Sequence, residues 1–152
     1  MDEKFCSLKT GEGTGAFHET VMAREVTEYL TREGMKGGLF VDATLGGGGH
    51  AEALLQRRAD IRVVGIDQDD EAIESALARL RAFGDRFRAV RANFRKMAAV
   101  WVGERVEGVV MDLGVSSRQL DSGERGFSFR REGPLDMRMD RQQELTAAEV
   151  VN

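Results

Sequence analysis

The stretch Leu39-Phe-Val-Asp-Ala-Thr-Leu-Gly-Gly-Gly-Gly-His50 decides how this chain folds. Leu39 to Val41 is a short apolar run, read as a buried strand. Gly46 to Gly49 end it, and Ala51 to Arg58 read as a helix with Ala53, Leu54 and Leu55 inward. Gly46, Gly48 and Ala51 fit the loose nucleotide-binding pattern of Gly, any, Gly, any, any, Gly or Ala, a weak signal by itself. Glycines let a strand turn sharply into a helix and let a ligand approach the backbone. The helix N-terminus beside them offers unpaired N–H groups. Four consecutive glycines carry a large entropic cost, which favours a ligand-binding turn over an ordinary one.

Reading outward, the pattern repeats. Val63-Val64-Gly65-Ile66 is a second buried strand ending at Asp67. Asp70 to Arg81 form a helix, with Ala72, Ile73, Ala76, Leu77 and Leu80 on one side. Phe87 to Val90 alternate as a third strand nearer an edge. Phe94 to Val102 read as helical, and Val106 to Met111 as a fourth strand ending at Asp112. Upstream, residues 1–16 read as a flexible tail. A helix begins with Thr20 as N-cap, runs to about Glu33 and stops at Gly34. Strands alternating with helices imply an α/β fold: right-handed crossovers and a parallel sheet with helices on both faces. Ligands on such sheets sit at the carboxyl ends of the strands. That rule selects three loops, Asp42 to His50, Asp67 to Asp69 and Asp112 to Gln119, all rich in Gly, Asp or Ser.

Asp67 lies 18 positions after Gly49. An acid about 20 residues beyond such a glycine turn typically accepts hydrogen bonds from ribose hydroxyls. The plain alternative, a helix N-cap, is equally open to Asp69 or Asp70. Two ligand classes fit: a dinucleotide such as NAD, or S-adenosylmethionine. A dinucleotide sets its pyrophosphate at the helix N-terminus. Asp42 before the glycines and Asp112 on the fourth strand repel pyrophosphate but attract an ammonium and a sulfonium, which tilts the choice to adenosylmethionine.

Composition excludes several classes. The 152 residues are 41% hydrophobic, with a formal net charge of −4. No apolar stretch reaches the ~20 residues a membrane span needs. The polar N-terminus lacks the apolar core of a secretory signal, so a cytoplasmic protein is expected. Cys6 is the only cysteine, and His18 and His50 the only histidines, so no zinc-ligand spacing exists and no metal is expected. Arg79, Arg81, Arg86, Arg88, Arg91, Arg95 and Lys96 follow an acidic block, Asp67 to Glu74. They read either as a solvated surface, the better reading, or as a phosphate-contacting strip.

Residues 113–144 show no strand pattern, longer than the ~12–15 residues usual for a structureless loop, so function or irregular order is implied. Thr146 and Glu149 then form a capping box, and the chain ends at Asn152 as a helix starts. The expectation is a truncated piece of a longer chain.

Longer runs are more specific. Asp42 to His50, Phe17-His-Glu-Thr-Val21 and, above all, Met111-Asp-Leu-Gly-Val-Ser-Ser-Arg-Gln-Leu-Asp121 resemble the bacterial ribosomal RNA cytosine-N4 methyltransferase family, RsmH/MraW. The likeness continues through Glu124-Arg-Gly-Phe-Ser-Phe129 and Gly133-Pro-Leu-Asp-Met-Arg-Met-Asp140 and covers residues 17–152. It implies a Rossmann-like class I methyltransferase fold with an incomplete sheet: residues 17–144 as the first part of the adenosylmethionine-binding domain, and 145–152 as the start of an inserted, truncated helical domain. It implies S-adenosyl-L-methionine as cofactor, with contacts from Gly48, Gly49, His50, Asp67, Phe94, Asp112 and Gln119. It implies 16S ribosomal RNA in the small subunit as partner, with an oligomer left open. The reaction would be methyl transfer to the N4 amine of a cytosine, with little turnover expected from this length of chain alone. Catalysis would rest on alignment and on acceptors for the N4 protons, for which Asp112, Ser116 and Ser117 stand at the right strand end. Helix capping is an equal reading for both serines. Phe127 and Phe129, interleaved with Arg125, Arg130 and Arg131, suit either RNA contact or core packing. A dinucleotide-binding oxidoreductase domain and a non-catalytic binding module remain as alternatives.

Overall fold

The computed structural model describes residues 20–100 and 104–152. The expected tail at 1–16 and most of the Phe17–Val21 motif lie outside the described residues.

Four parallel strands form one sheet in the order β3-β2-β1-β4: β1 Gly38–Asp42, β2 Ile61–Asp67, β3 Phe87–Arg91 and β4 Val106–Val110. Three α-helices connect them or lead in: α1 Ala23–Leu30, α2 Gly49–Arg57 and α3 Asp70–Leu80. The chain winds outward from β1 through β2 to β3, then returns to place β4 on the other side of β1. The reversal puts a switch point between β1 and β4, and open α/β sheets bind ligands there.

Alternation along the strands builds two apolar layers. Phe40, Ile61 and Val63 pack on one face with Leu54 and Leu55 of α2, Ala76 and Leu80 of α3, and Leu30 of α1. Leu39, Val41, Val64 and Ile66 point to the other face and meet Val90, Phe94 and Met97. Helices on both faces were expected. α2, α3 and Leu30 of α1 pack on the first face, so helical segments lie on both, because the second face carries a 3-10 segment, Phe94–Ala99. That segment replaces the expected Phe94–Val102 helix, whose last two residues lie outside the described range.

Two further local expectations are corrected. α1 starts at Ala23 rather than at a Thr20 cap: Met22 takes a left-handed conformation (φ 54) and makes no side-chain cap bond. Tertiary contacts explain this, because the carbonyl of Val21 accepts from His50 Nε2 at 3.1 Å and Thr20 lies against Gly49. Leu77, placed inward by spacing, is 48% exposed, since α3 meets the sheet along Ala76 and Leu80. The caps at Asp69 and Thr146 form as read: Asp69 accepts from Glu71 N, and Thr146 and Glu149 cap α5 Ala147–Val151 reciprocally.

The segment after β4 is irregular but tied down by hydrogen bonds at several points. It holds a five-residue helix, α4 Ser117–Asp121, and a 3-10 turn, Gly123–Arg125. Met137 N donates to the Arg125 carbonyl at 3.0 Å, and Ala147 N to that of Asp136 at 2.8 Å. Among the described residues, no helix is long and apolar enough to cross a membrane.

Candidate functional site

Beyond Asp42 the backbone stitches the three central strands together. Ala43 N donates to the Val110 carbonyl and Leu45 N to that of Ile66, both at 2.9 Å. Two side chains complete the junction. Thr44 Oγ1 accepts from Asp112 N at 2.7 Å, and Asp67 Oδ2 accepts from Gly46 N at 2.8 Å. The glycine turn, the β2 tip and the β4 tip therefore meet at one place, as the three loops read from sequence require.

The four glycines do different things. Gly46 and Gly48 take positive φ (50 and 80), where a side chain is strained. A Cβ on Gly48 would also stand 3.0 Å from Leu80 Cδ1 and 3.2 Å from Ala76 Cβ, so this glycine lets α2 pack on α3. A Cβ on Gly49 would overlap Thr20 Oγ1. Gly47 alone has neither constraint: its φ is not left-handed and a Cβ there would meet nothing within 4 Å. Backbone conformation or packing accounts for the other three glycines and leaves Gly47 facing open space.

Three acids surround the turn in three environments. Asp42 is fully buried. Loss of hydration pushes its carboxyl up from 3.8 to about 6, against the opposing pull of His50 and the Thr44 N–H. Its Oδ2 has no hydrogen-bond partner. Asp67 is half-buried and backbone-bonded: Oδ1 accepts from Gln68 N (2.8 Å) and Asp69 N (3.0 Å), and Oδ2 from Gly46 N. A carboxylate oxygen has two lone pairs, so Oδ2 keeps acceptor capacity. Asp69 is buried and ion-paired, with Arg125 Nη1 2.7 Å from Oδ2.

The remaining expected site residues take up definite places. His50 is buried, its Nε2–H donating to the Val21 carbonyl. Phe94 is half-buried just past the β3 tip, which Ala92 N joins to the Asp67 carbonyl at 2.8 Å. Asp112 is exposed. Gln119 is buried; Oε1 accepts from Ser116 N at 3.0 Å and Nε2 donates to Asp69 Oδ2 at 3.2 Å. Ser116 caps α4, accepting from Gln119 N, and Ser117 is the helix's first residue. The capping bond read for Ser116 is formed, and its hydroxyl keeps its own proton and a second lone pair.

The basic residues divide. Arg79 pairs with Glu52 at 2.7 Å, and Arg86 Nη1 donates to the carbonyls of Leu55, Arg58 and Ile61. Arg91 pairs with Asp70 and Asp140. Arg81, Arg95 and Lys96 are exposed. Phe127 is buried while Phe129 is fully exposed beside Arg130 and Arg131. Arg125, grouped with them in sequence as a possible RNA contact, is instead 4% exposed and held by Asp69. Its partner lies 56 positions upstream, so no local pattern signals the pair.

A reversed strand order with a glycine turn and acids at adjacent strand tips defines a Rossmann-like α/β nucleotide-cofactor domain. Solved structures give the type. An rRNA methylase from Streptococcus thermophilus shares the fold with a TM-score of 0.50, at 20% identity over 63% of this chain and 57% of its own. A structure from Clostridium thermocellum, described as a candidate rRNA methylase, gives 0.54, at 24% identity over 65% of this chain and 54% of its own. The fold is therefore the α/β methyltransferase fold. The sequence profile of the MraW methylase family matches residues 15–152, and the chain belongs to that family. Curated relatives agree. The ribosomal RNA small subunit methyltransferase H of a Picosynechococcus strain is 54% identical over 136 residues, 89% of this chain and 45% of its own length. That of Carboxydothermus hydrogenoformans is 54% identical over 138 residues, 89% of this chain and 43% of its own. The chain thus spans a little under half the length of these relatives.

Proposed function

We propose that this chain binds S-adenosylmethionine at the junction of β1, β2 and β4. We further propose that it serves methyl transfer to the N4 amine of a cytosine in 16S ribosomal RNA within the small ribosomal subunit. The observation that carries the cofactor reading is the pair of acids flanking the glycine turn, Asp42 with a buried, unpartnered oxygen and Asp112 at the adjoining β4 tip, whose N–H donates to Thr44 Oγ1. A pyrophosphate is repelled by that pair, whereas an ammonium and a sulfonium are attracted. Membership in a methylase family points the same way and away from a dinucleotide-dependent oxidoreductase.

In this reading residues 17–144 form the cofactor-binding part and 145–152 open a further helical unit. Bound there, the cofactor supplies an electrophilic methyl group on a positively charged sulfur. Gly47 lets the cofactor approach the backbone, and Gly48, Gly49 and His50 form the floor at its amino-acid end. Asp67 accepts from the ribose hydroxyls, Phe94 lines the adenine side, and Asp112 and Gln119 orient the methionine portion. The target nitrogen is a weak nucleophile because its lone pair is delocalised into the ring. Asp112 and Ser117 at the β4 tip then act by accepting from the N4 protons and aligning the amine. Ser116 contributes by holding α4 in place.

Calorimetry tests the cofactor reading. S-adenosylhomocysteine should bind the chain, NAD should not, and Asp67→Ala should weaken binding by about 10–100-fold, the worth of hydrogen bonds to a charged acceptor. Tight NAD binding, or an Asp67→Ala chain that folds and binds as before, overturns it.

A further inference from the structure

The buried ion pair of Asp69 and Arg125 does more than close a loop. Asp69, Gln119 and Arg125 are all under a tenth exposed and come from three separate segments: the β2–α3 turn, α4 and the following 3-10 turn. Asp69 Oδ1 caps α3, and Oδ2 takes both Gln119 Nε2 (3.2 Å) and Arg125 Nη1 (2.7 Å). Ser116 N fixes the other end of the carboxamide by donating to Gln119 Oε1. The amide's orientation is thus set by two partners of opposite demand: an N–H that needs the oxygen and a carboxylate that needs the NH2 group. These bonds leave one N–H and one lone pair of Gln119 over. Arg125 Nη2 meanwhile donates to the carbonyls of Arg138 and Met139, both at 3.2 Å, so one guanidinium joins Asp69 to the far end of the irregular segment.

We propose that Arg125 is a positioning residue for cofactor binding. Through Asp69 it fixes the carboxamide of Gln119, and through the Arg138 and Met139 carbonyls it seats the segment after α4 against the β2 tip. The inference rests on the adenosylmethionine reading above. A buried ion pair is weak evidence of stabilisation by itself, because desolvation offsets the attraction. Its specificity lies in geometry: a planar fork meets a carboxylate and two carbonyls at once, which a lysine ammonium on a flexible stem does not reproduce.

The test is a double-mutant cycle on the full 152-residue chain, reading S-adenosylhomocysteine affinity by calorimetry well below each variant's melting point. Gln119→Ala alone should weaken binding by about tenfold, the loss of one or two hydrogen bonds to ligand. Arg125→Met should weaken it by a similar factor, and adding Gln119→Ala to Arg125→Met should then cost no more than ~2-fold, because Asp69, without its guanidinium, no longer holds the Gln119 NH2 group in the binding orientation. Arg125→Lys, which keeps the charge and spares folding, should fall between wild type and Arg125→Met and carries the same cycle if the methionine variant melts too low to titrate. Additive effects, or an Arg125 variant that melts lower yet binds as tightly as wild type, would reduce Arg125 to a structural residue and overturn the proposal. Failure of the unsubstituted chain to bind S-adenosylhomocysteine would instead overturn the cofactor reading, and this inference with it.

Discussion

Replacing Asp42 with Asn should leave the ligand-free protein relatively more stable at neutral pH than at acid pH, compared with the unsubstituted chain. Asp42 is fully buried, and dehydration raises its carboxyl from 3.8 to about 6. At about 1.36 kcal/mol per pH unit, that rise corresponds to a penalty of about 3 kcal/mol once the group is ionised in the folded state. The sign follows from proton counts. Between the two values the folded chain holds the proton and the unfolded chain has lost it, so stability falls as pH rises. The favourable contribution is complete below 3.8 and gone above about 6. About 2 kcal/mol of the change should develop between pH ~4.5 and ~7.5, and an uncharged Asn cannot show it. Asn carries its own fixed cost, an NH2 group where Oδ2 now lacks a partner, so the difference between the two pH values is the quantity to measure. Urea unfolding of both chains at both values provides it. A stability difference between the chains that is the same at both pH values, within about 0.5 kcal/mol, refutes the reasoning. The same carboxyl links to binding. A ligand ammonium favours the ionised form, so S-adenosylhomocysteine affinity should climb with pH through about 6 in the unsubstituted chain and stay flatter in Asp42→Asn.

Other predictions separate packing from ligand approach. Gly47→Ala should change stability by less than about 0.5 kcal/mol, because the added methyl meets nothing, yet weaken S-adenosylhomocysteine binding measurably. Gly48→Ala should cost about 2 kcal/mol or more in chemical denaturation, since it adds left-handed strain to a close approach to Leu80. Arg86→Met should cost about 1.5–3 kcal/mol in the same measurement, because three carbonyls at the join of α2 and β2 lose a charged donor.

The sheet was legible because β1 and β2 are short apolar runs closed by an acid and β3 alternates. Val63 and Ile66 are apolar in a run bounded by Asp67, and β2 follows that run closely. Asp69 and Thr146 were legible as caps because a cap bonds to its own next turn, two or three residues away. What escaped depends on distant partners. The late start of α1 follows from Val21 and Thr20 lying against His50 and Gly49, contacts that no local propensity encodes. Arg125 stands between Glu124 and Phe127 like any surface arginine, and only the fold brings Asp69 to it. The four glycines stand out in the sequence as one turn, but the turn's own conformation accounts for Gly46 and Gly48, and no local pattern sets Gly47 apart from them.

The three acids carry the same lesson into energetics. Asp42, Asp67 and Asp69 have one side chain among them in kind, yet each is stabilised differently. Asp69 has a guanidinium, so its burial is compensated and it serves as a fixed point. Asp67 has three backbone N–H groups, which hold an acceptor at the β2 tip without neutralising it. Asp42 has neither a cation in ion-pair contact nor a partner for Oδ2, and keeping it there lowers the stability of the ligand-free chain at neutral pH. A neutral Asn or an apolar residue would remove that cost from the core. A cation brought close by a ligand would remove it too, and would draw binding free energy from the very group that destabilises the empty protein. Replacing the uncompensated acid should thus flatten the pH dependence of stability and weaken binding together, which a purely structural residue does not do.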